Sequence, residues 1–121
     1  MIPHLHVAHR HGNDLDLLVD ALGWGADLIE ADVHLHRGRL EVRHTKSMGP
    51  LPWLWDRWYL VSAKEARLHL HEVAAALPPE RRVMLDLKGW QPWLGRRVLA
   101  AMDESAPGVP YTVCSRHWRM L

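Results

Sequence analysis

Glu30 and Asp32 stand two residues apart in the run Leu28-Ile29-Glu30-Ala31-Asp32-Val33-His34. In an extended strand two such residues project to the same face, about 6.5 to 7 Å apart along the backbone. Ile29, Ala31 and Val33 then take the other face. Two hard oxygen donors placed in this way can hold a divalent cation. The pair has companions: His9-Arg10 precedes it, His44 follows it, and Asp86-x-Lys88 sets another acid and a cation at the same two-residue spacing. Acids, imidazoles and cations at successive strand ends are the ingredients of metal-assisted phosphoryl chemistry.

The elements that must position these groups can be read from periodicity and punctuation. Leu5 to His9 is short and apolar and runs into a polar loop with Gly12, a first strand. Asp14 can cap a helix carrying the stripe Leu17, Leu18, Ala21 and Leu22, which Gly23 to Gly25 stops. Leu28 to Leu35 is the second strand, Arg37-Gly38 a tight turn, and Leu40 to His44 a short returning extension. From Thr45 to Ser62 the pattern breaks up, which predicts an irregular loop with one helical turn near Trp53 to Trp58. Ser62 with Glu65 three residues on reads as a capping box, opening a helix that runs to Leu77 and stops at Pro78-Pro79. Val83 to Leu87 is the third strand, Pro92 starts a helix to about Met102, and Tyr111 to Cys114 is the fourth strand. Strands alternating with helices predict an α/β fold with a parallel sheet, whose chemistry gathers at the carboxyl ends of the strands, where His9, Asp32, Lys88 and Ser115 fall.

Composition narrows the functions. The 121 residues, 48% of them apolar, suffice for one domain with a core. Lys and Arg number 15 against 14 Asp and Glu, so no whole-molecule field draws nucleic acid or an anionic membrane, and phosphate binding has to be local. No stretch reaches the ~18 apolar residues of a membrane span, and the first ten residues lack the pattern of a signal peptide, so the expectation is a cytoplasmic protein without stable membrane insertion. Cys114, the one cysteine, reads as a small hydrophobe in a strand. Seven tryptophans without a phenylalanine predict that tryptophan fills the large-aromatic role, with an aromatic rim around a polar head group as the alternative.

The segments Val7-Ala8-His9-Arg10-His11-Gly12, Gly25-Ala26-Asp27-Leu28-Ile29-Glu30-Ala31-Asp32-Val33, Leu40-Glu41-Val42-Arg43-His44 and Val83-Met84-Leu85-Asp86-Leu87-Lys88 resemble the glycerophosphodiester phosphodiesterase family. That family carries His-Arg-Gly after strand one, Gly-Ala-Asp-x-Ile-Glu-x-Asp-Val on strand two, His-Asp after the hairpin and Glu-x-Lys on strand three. This chain departs from it in three places: His11 intervenes before Gly12, Thr45 replaces the aspartate after the second histidine, and Asp86 stands in place of glutamate. The resemblance implies that Glu30, Asp32 and Asp86 coordinate Mg²⁺ or Ca²⁺. It implies that His9 and His44 flank the scissile phosphodiester as acid and base, in either order, and that Arg10 and Lys88 bind the phosphate. The substrate implied is a small-molecule glycerophosphodiester, cleaved to an alcohol and glycerol 3-phosphate.

The resemblance spans only the first half of the family's fold. A complete TIM barrel takes about 250 residues, whereas about four strand-helix units are legible here. Residues 1–121 are therefore expected to form a partial domain, a truncated TIM barrel whose open sheet edges favour self-association. Three alternatives stay open. One is a catalytically inactive partial barrel serving as a fragment or oligomerising module. Another is a sphingomyelinase D-like or lysophospholipase D-type enzyme, the first suggested by Asp86. The third is a zinc hydrolase using His4-x-His6, although His9 holds the strand-end position. Glu41, Arg43, Arg37 and Arg39 read as surface charges of the hairpin, and His34 and His36, on the Glu30 face, as polar fillers or alternatively as lining of the pocket. His69 and His71, two apart on a helix, do not face one another.

Overall fold

A computed structural model of the protein describes residues 3–48, 50–56, 59–62, 67–117, 119 and 121. Its elements in chain order are β1 (Val7–Ala8), α1 (Leu15–Gly23), β2 (Leu28–His36), β3 (Arg39–Val42), β4 (Lys46–Ser47), β5 (Trp53–Asp56), β6 (Tyr59–Ser62), α2 (Leu70–Ala76), β7 (Arg82–Lys88), α3 (Leu94–Ser105) and β8 (Tyr111–Ser115). Strands β1, β2, β7 and β8 pair in that order, all parallel, and β3 folds back antiparallel on β2. The alternating pattern is thus an α/β parallel sheet, as expected.

Apolar alternation explains which face the helices cover. Ile29, Ala31 and Val33 of β2 and Val83, Leu85 and Leu87 of β7 are buried against Leu18 and Ala21 of α1, Leu70 and Val73 of α2, and Leu94, Val98 and Met102 of α3. This single core excludes water from one side of the sheet. The opposite face carries Glu30, Asp32, Met84, Asp86 and Cys114. The parallel register aligns Asp32 with Asp86, so two acids from different strands arrive at the same height.

Local chemistry sets the helix ends. The Asp14 carboxylate accepts hydrogen bonds from the N–H groups of Asp16 (2.8 Å) and Leu17 (3.1 Å), an N-cap of the kind its position predicts. Helix α2 starts later than expected: Ser62 ends β6 and does not cap a helix, Glu65 lies outside the described residues, and His69 precedes Leu70. The His69 N–H donates to Glu72 Oε2 at 3.3 Å, so the acid three residues on serves this later start.

The stretch expected to be an irregular loop is a small antiparallel sheet, β4-β5-β6. Trp53–Asp56 is a strand and no helical turn. The physical reason is period two: Leu54 is buried while Trp53 and Trp55 are exposed, and β-favouring Tyr59, Leu60 and Val61 return beside them. The described tryptophans stand outside the core. Trp24, Trp53, Trp55, Trp90 and Trp93 are all exposed, while Trp58 and Trp118 lie outside the described residues. Leu, Val and Ala supply the core volume instead.

Candidate functional site

Asp32 is held by a two-way clamp. Asn13 Nδ2 donates to Asp32 Oδ2 at 2.8 Å, and the Asp32 N–H donates to Asn13 Oδ1 at 2.7 Å. The turn His11–Asn13 can reach β2 because Gly12 is buried directly against it, with no room for a side chain. Just before that turn, Arg10 adopts φ 61°, a left-handed conformation that costs a non-glycine residue about 1–2 kcal/mol. The twist aims the Arg10 N–H at Glu30 Oε2, 3.2 Å away. His9 Nε2 lies 2.9 Å from the same oxygen, with its ring otherwise exposed.

Glu30 and Asp32 are 5% and 2% exposed, and buried carboxylates demand compensation. Lys88 supplies it. Its Nζ lies 3.0 Å from Asp32 Oδ1 and also bonds Asp86 Oδ2. Burial pulls the Lys88 pKa down, but the hydrogen bonds and charges of Asp86 and Asp32 outweigh it and raise the value, so the ammonium stays charged. Glu30, Asp32 and Asp86 each offer an oxygen, all within 4.8 Å of one another. That span matches oxygen ligands placed about 2.0–2.6 Å from one hard cation. The donor set, three carboxylates of which one ammonium offsets only part of the charge, suits a hard divalent cation rather than a thiophilic metal. Among the described residues no other such cluster occurs, and His4 and His6 take no part in one.

His44 lies past the end of β3, its Nδ1 2.8 Å from Asp56 Oδ2 at the end of β5. The carboxylate beside His44 thus comes from Asp56, twelve residues on, and not from position 45. Thr45 instead contributes its carbonyl oxygen to Arg43. Arg43 and Glu41 are not hairpin surface charges, as their polarity suggested: both are buried. Arg43 Nε binds Glu41 Oε2 at 2.8 Å, its second terminal nitrogen donates to Ser47 Oγ at 2.8 Å, and Arg67 Nε lies 3.3 Å from Glu41 Oε1. Burial lowers the Arg43 pKa, and the Glu41 partner opposes the shift. This network ties together the segment carrying His44 and Lys46.

All seven predicted residues, His9, Arg10, Glu30, Asp32, His44, Asp86 and Lys88, line one cavity of about 720 Å³ at the carboxyl ends of the strands. His34 and His36 line it too, and their Nε2 atoms are buried without a partner among the described groups. Burial foremost, with the charge of Arg43, pushes His34 down to about 3, which keeps its ring neutral. Burial likewise lowers His36. Cys114 borders the acids from β8, and burial, then Asp86 and Glu30, push its thiol pKa up, so it is no ready nucleophile.

Asn13 and Asp56 were missed from sequence. Nothing around Asn13 marks a contact nineteen residues away. Asp56 was within reach, since the alternation Trp53-Leu54-Trp55 followed by Tyr59-Leu60-Val61 is a hairpin signal.

No family model matches the sequence, and no curated protein matches it. Solved structures do. A Galdieria sulphuraria protein assigned as a glycerophosphodiester phosphodiesterase superposes with a TM-score of 0.72 at 18% identity, covering 98% of this chain and 59% of its own. The glycerophosphoryl diester phosphodiesterase domain of a Mycobacterium tuberculosis protein gives 0.70 at 20% identity, covering 98% of this chain and 55% of its own. The Thermotoga maritima glycerophosphodiester phosphodiesterase gives 0.64 at 19% identity, with 95% and 55% covered. The chain therefore shares the fold of these proteins, a TIM-barrel architecture, over little more than half their length.

Proposed function

We propose that residues 1–121 form the first half of a glycerophosphodiester phosphodiesterase domain and take part in metal-dependent hydrolysis of a glycerophosphodiester to an alcohol and glycerol 3-phosphate. The observation that carries this reading is the convergence of Glu30, Asp32 and Asp86 in a cavity that His9 and His44 also line, at the strand ends of a fold shared with such enzymes. A phosphodiester is anionic, repels nucleophiles and has a poor leaving group, and the cavity addresses each difficulty.

Glu30, Asp32 and Asp86 would hold Mg²⁺ or Ca²⁺, which when bound supplies charge neutralisation and Lewis acidity. Arg10 grips a non-bridging phosphate oxygen, and Lys88 offsets negative charge accumulating between the acids and the substrate. One of His9 and His44 takes a proton from the attacking hydroxyl or water, and the other delivers one to the departing alkoxide. Asp56 beside Nδ1 favours the His44 tautomer whose Nε2 handles that proton. A cytoplasmic setting belongs to this reading, consistent with the free thiol of Cys114. No helix among the described residues is long and apolar enough to cross a membrane.

Glu30→Gln keeps the side-chain shape and removes one anionic ligand. Calorimetry with Mg²⁺ and Ca²⁺ should show at least about tenfold weaker binding, and turnover of glycerophosphodiesters should vanish. Turnover retained by the folded variant would overturn the assignment. A second reading, an inactive partial barrel with an intact ligand set, is favoured by one observation: Val7 and Thr112, on the face that carries the acids, are exposed, leaving the site wet. Metal binding without turnover by the unmodified chain would select it.

A further inference from the structure

Charge is unevenly spread over the cavity. Lys and Arg line it at Arg10, Arg37, Lys46, Lys88 and Arg116, whereas its only carboxylates among the described residues are Glu30, Asp32 and Asp86. A divalent cation together with Lys88 balances the three acids, and Arg10 balances the single negative charge of a phosphodiester. Arg37, Lys46 and Arg116 remain, and none has a carboxylate within ion-pair distance among the described residues.

These three cations come from three separate parts of the fold. Arg37 sits in the β2–β3 turn at φ 50°, and α3 ties that turn down through Arg97, which donates to the Gly38 carbonyl at 2.6 Å. Lys46 opens β4, with its Nζ 4.8 Å from the Trp55 ring. Arg116 follows β8. Three chain segments that bring like charge to one cavity repel each other unless an anion sits among them. Cationic head groups are disfavoured by the same field. Their usual recognition also needs several aromatic faces, and among the described residues Trp90 is the only tryptophan on the wall.

We infer that the cavity selects a glycerophosphodiester whose alcohol carries a second anionic group, a phosphomonoester above all, and that Arg37, Lys46 and Arg116 bind it. The inference rests on the phosphodiesterase reading for the scissile group, but its test does not depend on turnover. Calorimetry on the whole chain in EDTA and low salt compares glycerophosphoinositol 4-phosphate, glycerophosphoinositol and glycerophosphocholine. Affinity should fall in that order, with at least about a tenfold gap between first and last, and the gap should shrink as salt is added. In the double variant Lys46→Gln, Arg116→Gln the anionic ligand should bind roughly tenfold more weakly, whereas glycerophosphocholine should bind no worse. A gap below twofold, no measurable binding of the anionic ligand, or equal losses for all three ligands in the variant would overturn the inference. A preserved gap without Mg²⁺-dependent turnover supports the anion site and fails the hydrolase reading alone.

Discussion

His44 lies in the link between β3 and β4 while Asp56 ends β5, and their 2.8 Å contact is the clearest case of one side chain being readied by another. Asp56→Asn preserves size while removing the charge that fixes the imidazole. Turnover is expected to fall at least about tenfold, with Mg²⁺ affinity unchanged, by parallel kinetics and calorimetry. His34 makes a different prediction. Its imidazole takes a proton below about pH 6.5 when unfolded and only near about 3 when folded, because burial first and Arg43 second disfavour the cation. The unfolded chain binds more protons across that window, so stability drops as pH falls through it, by about 2 kcal/mol at pH 5. Urea midpoints at neutral pH and at about pH 5 should diverge for the native sequence and lie closer together for His34→Gln, where His36 alone still contributes; an unchanged gap would remove the argument. The acids and histidines of the site were legible because each sits at a fixed offset in a strand or at its end. Glu41 and Arg43 were misjudged because polarity suggested a solvated hairpin, whereas their mutual pair, the Thr45 and Ser47 acceptors and the arrival of Arg67 from a distant segment together make their burial tolerable.

Among the elements, the His11–Asn13 turn does the most for its size. A Cβ at Gly12 would meet Ala31 Cβ at 2.6 Å and the Glu30 carbonyl at 2.9 Å. Gly12→Ala should therefore push the turn off β2, cost about 1–3 kcal/mol, and loosen the Asn13 clamp on Asp32. Gly23→Ala is the control, since its Cβ meets nothing within 4 Å at the end of α1. Thermal melts and Mg²⁺ titrations of both variants check the pair. The parallel strands and α1 were readable from apolar period, cap and glycine stop. The β4-β5-β6 sheet was not, because Pro50, Pro52 and a dense set of tryptophans hide a two-residue period that only pairing makes visible. Helix α2 was placed too early because Ser62 and Glu65 imitate a cap, while the strand-forming Tyr59–Val61 captures Ser62 first.

For the molecule as a whole, the parallel sheet ends in β1 on one side and β8 on the other, neither paired further among the described residues. Leu5, Val7, Leu17 and Val19 lie exposed on β1, α1 and the segment before them. Open edges beside apolar surface predict concentration-dependent association. Light scattering should give masses above 14.0 kDa at high concentration, reduced by Leu17→Lys with Val19→Lys. A constant monomer mass would exclude it. One more consequence follows from the register that sets Asp32 opposite Asp86. Any ion gripping both would act as a stitch between segments 54 positions apart, Asp32 to Asp86, so chelation should release the β2–β7 seam to deuterium sooner than the helices behind it.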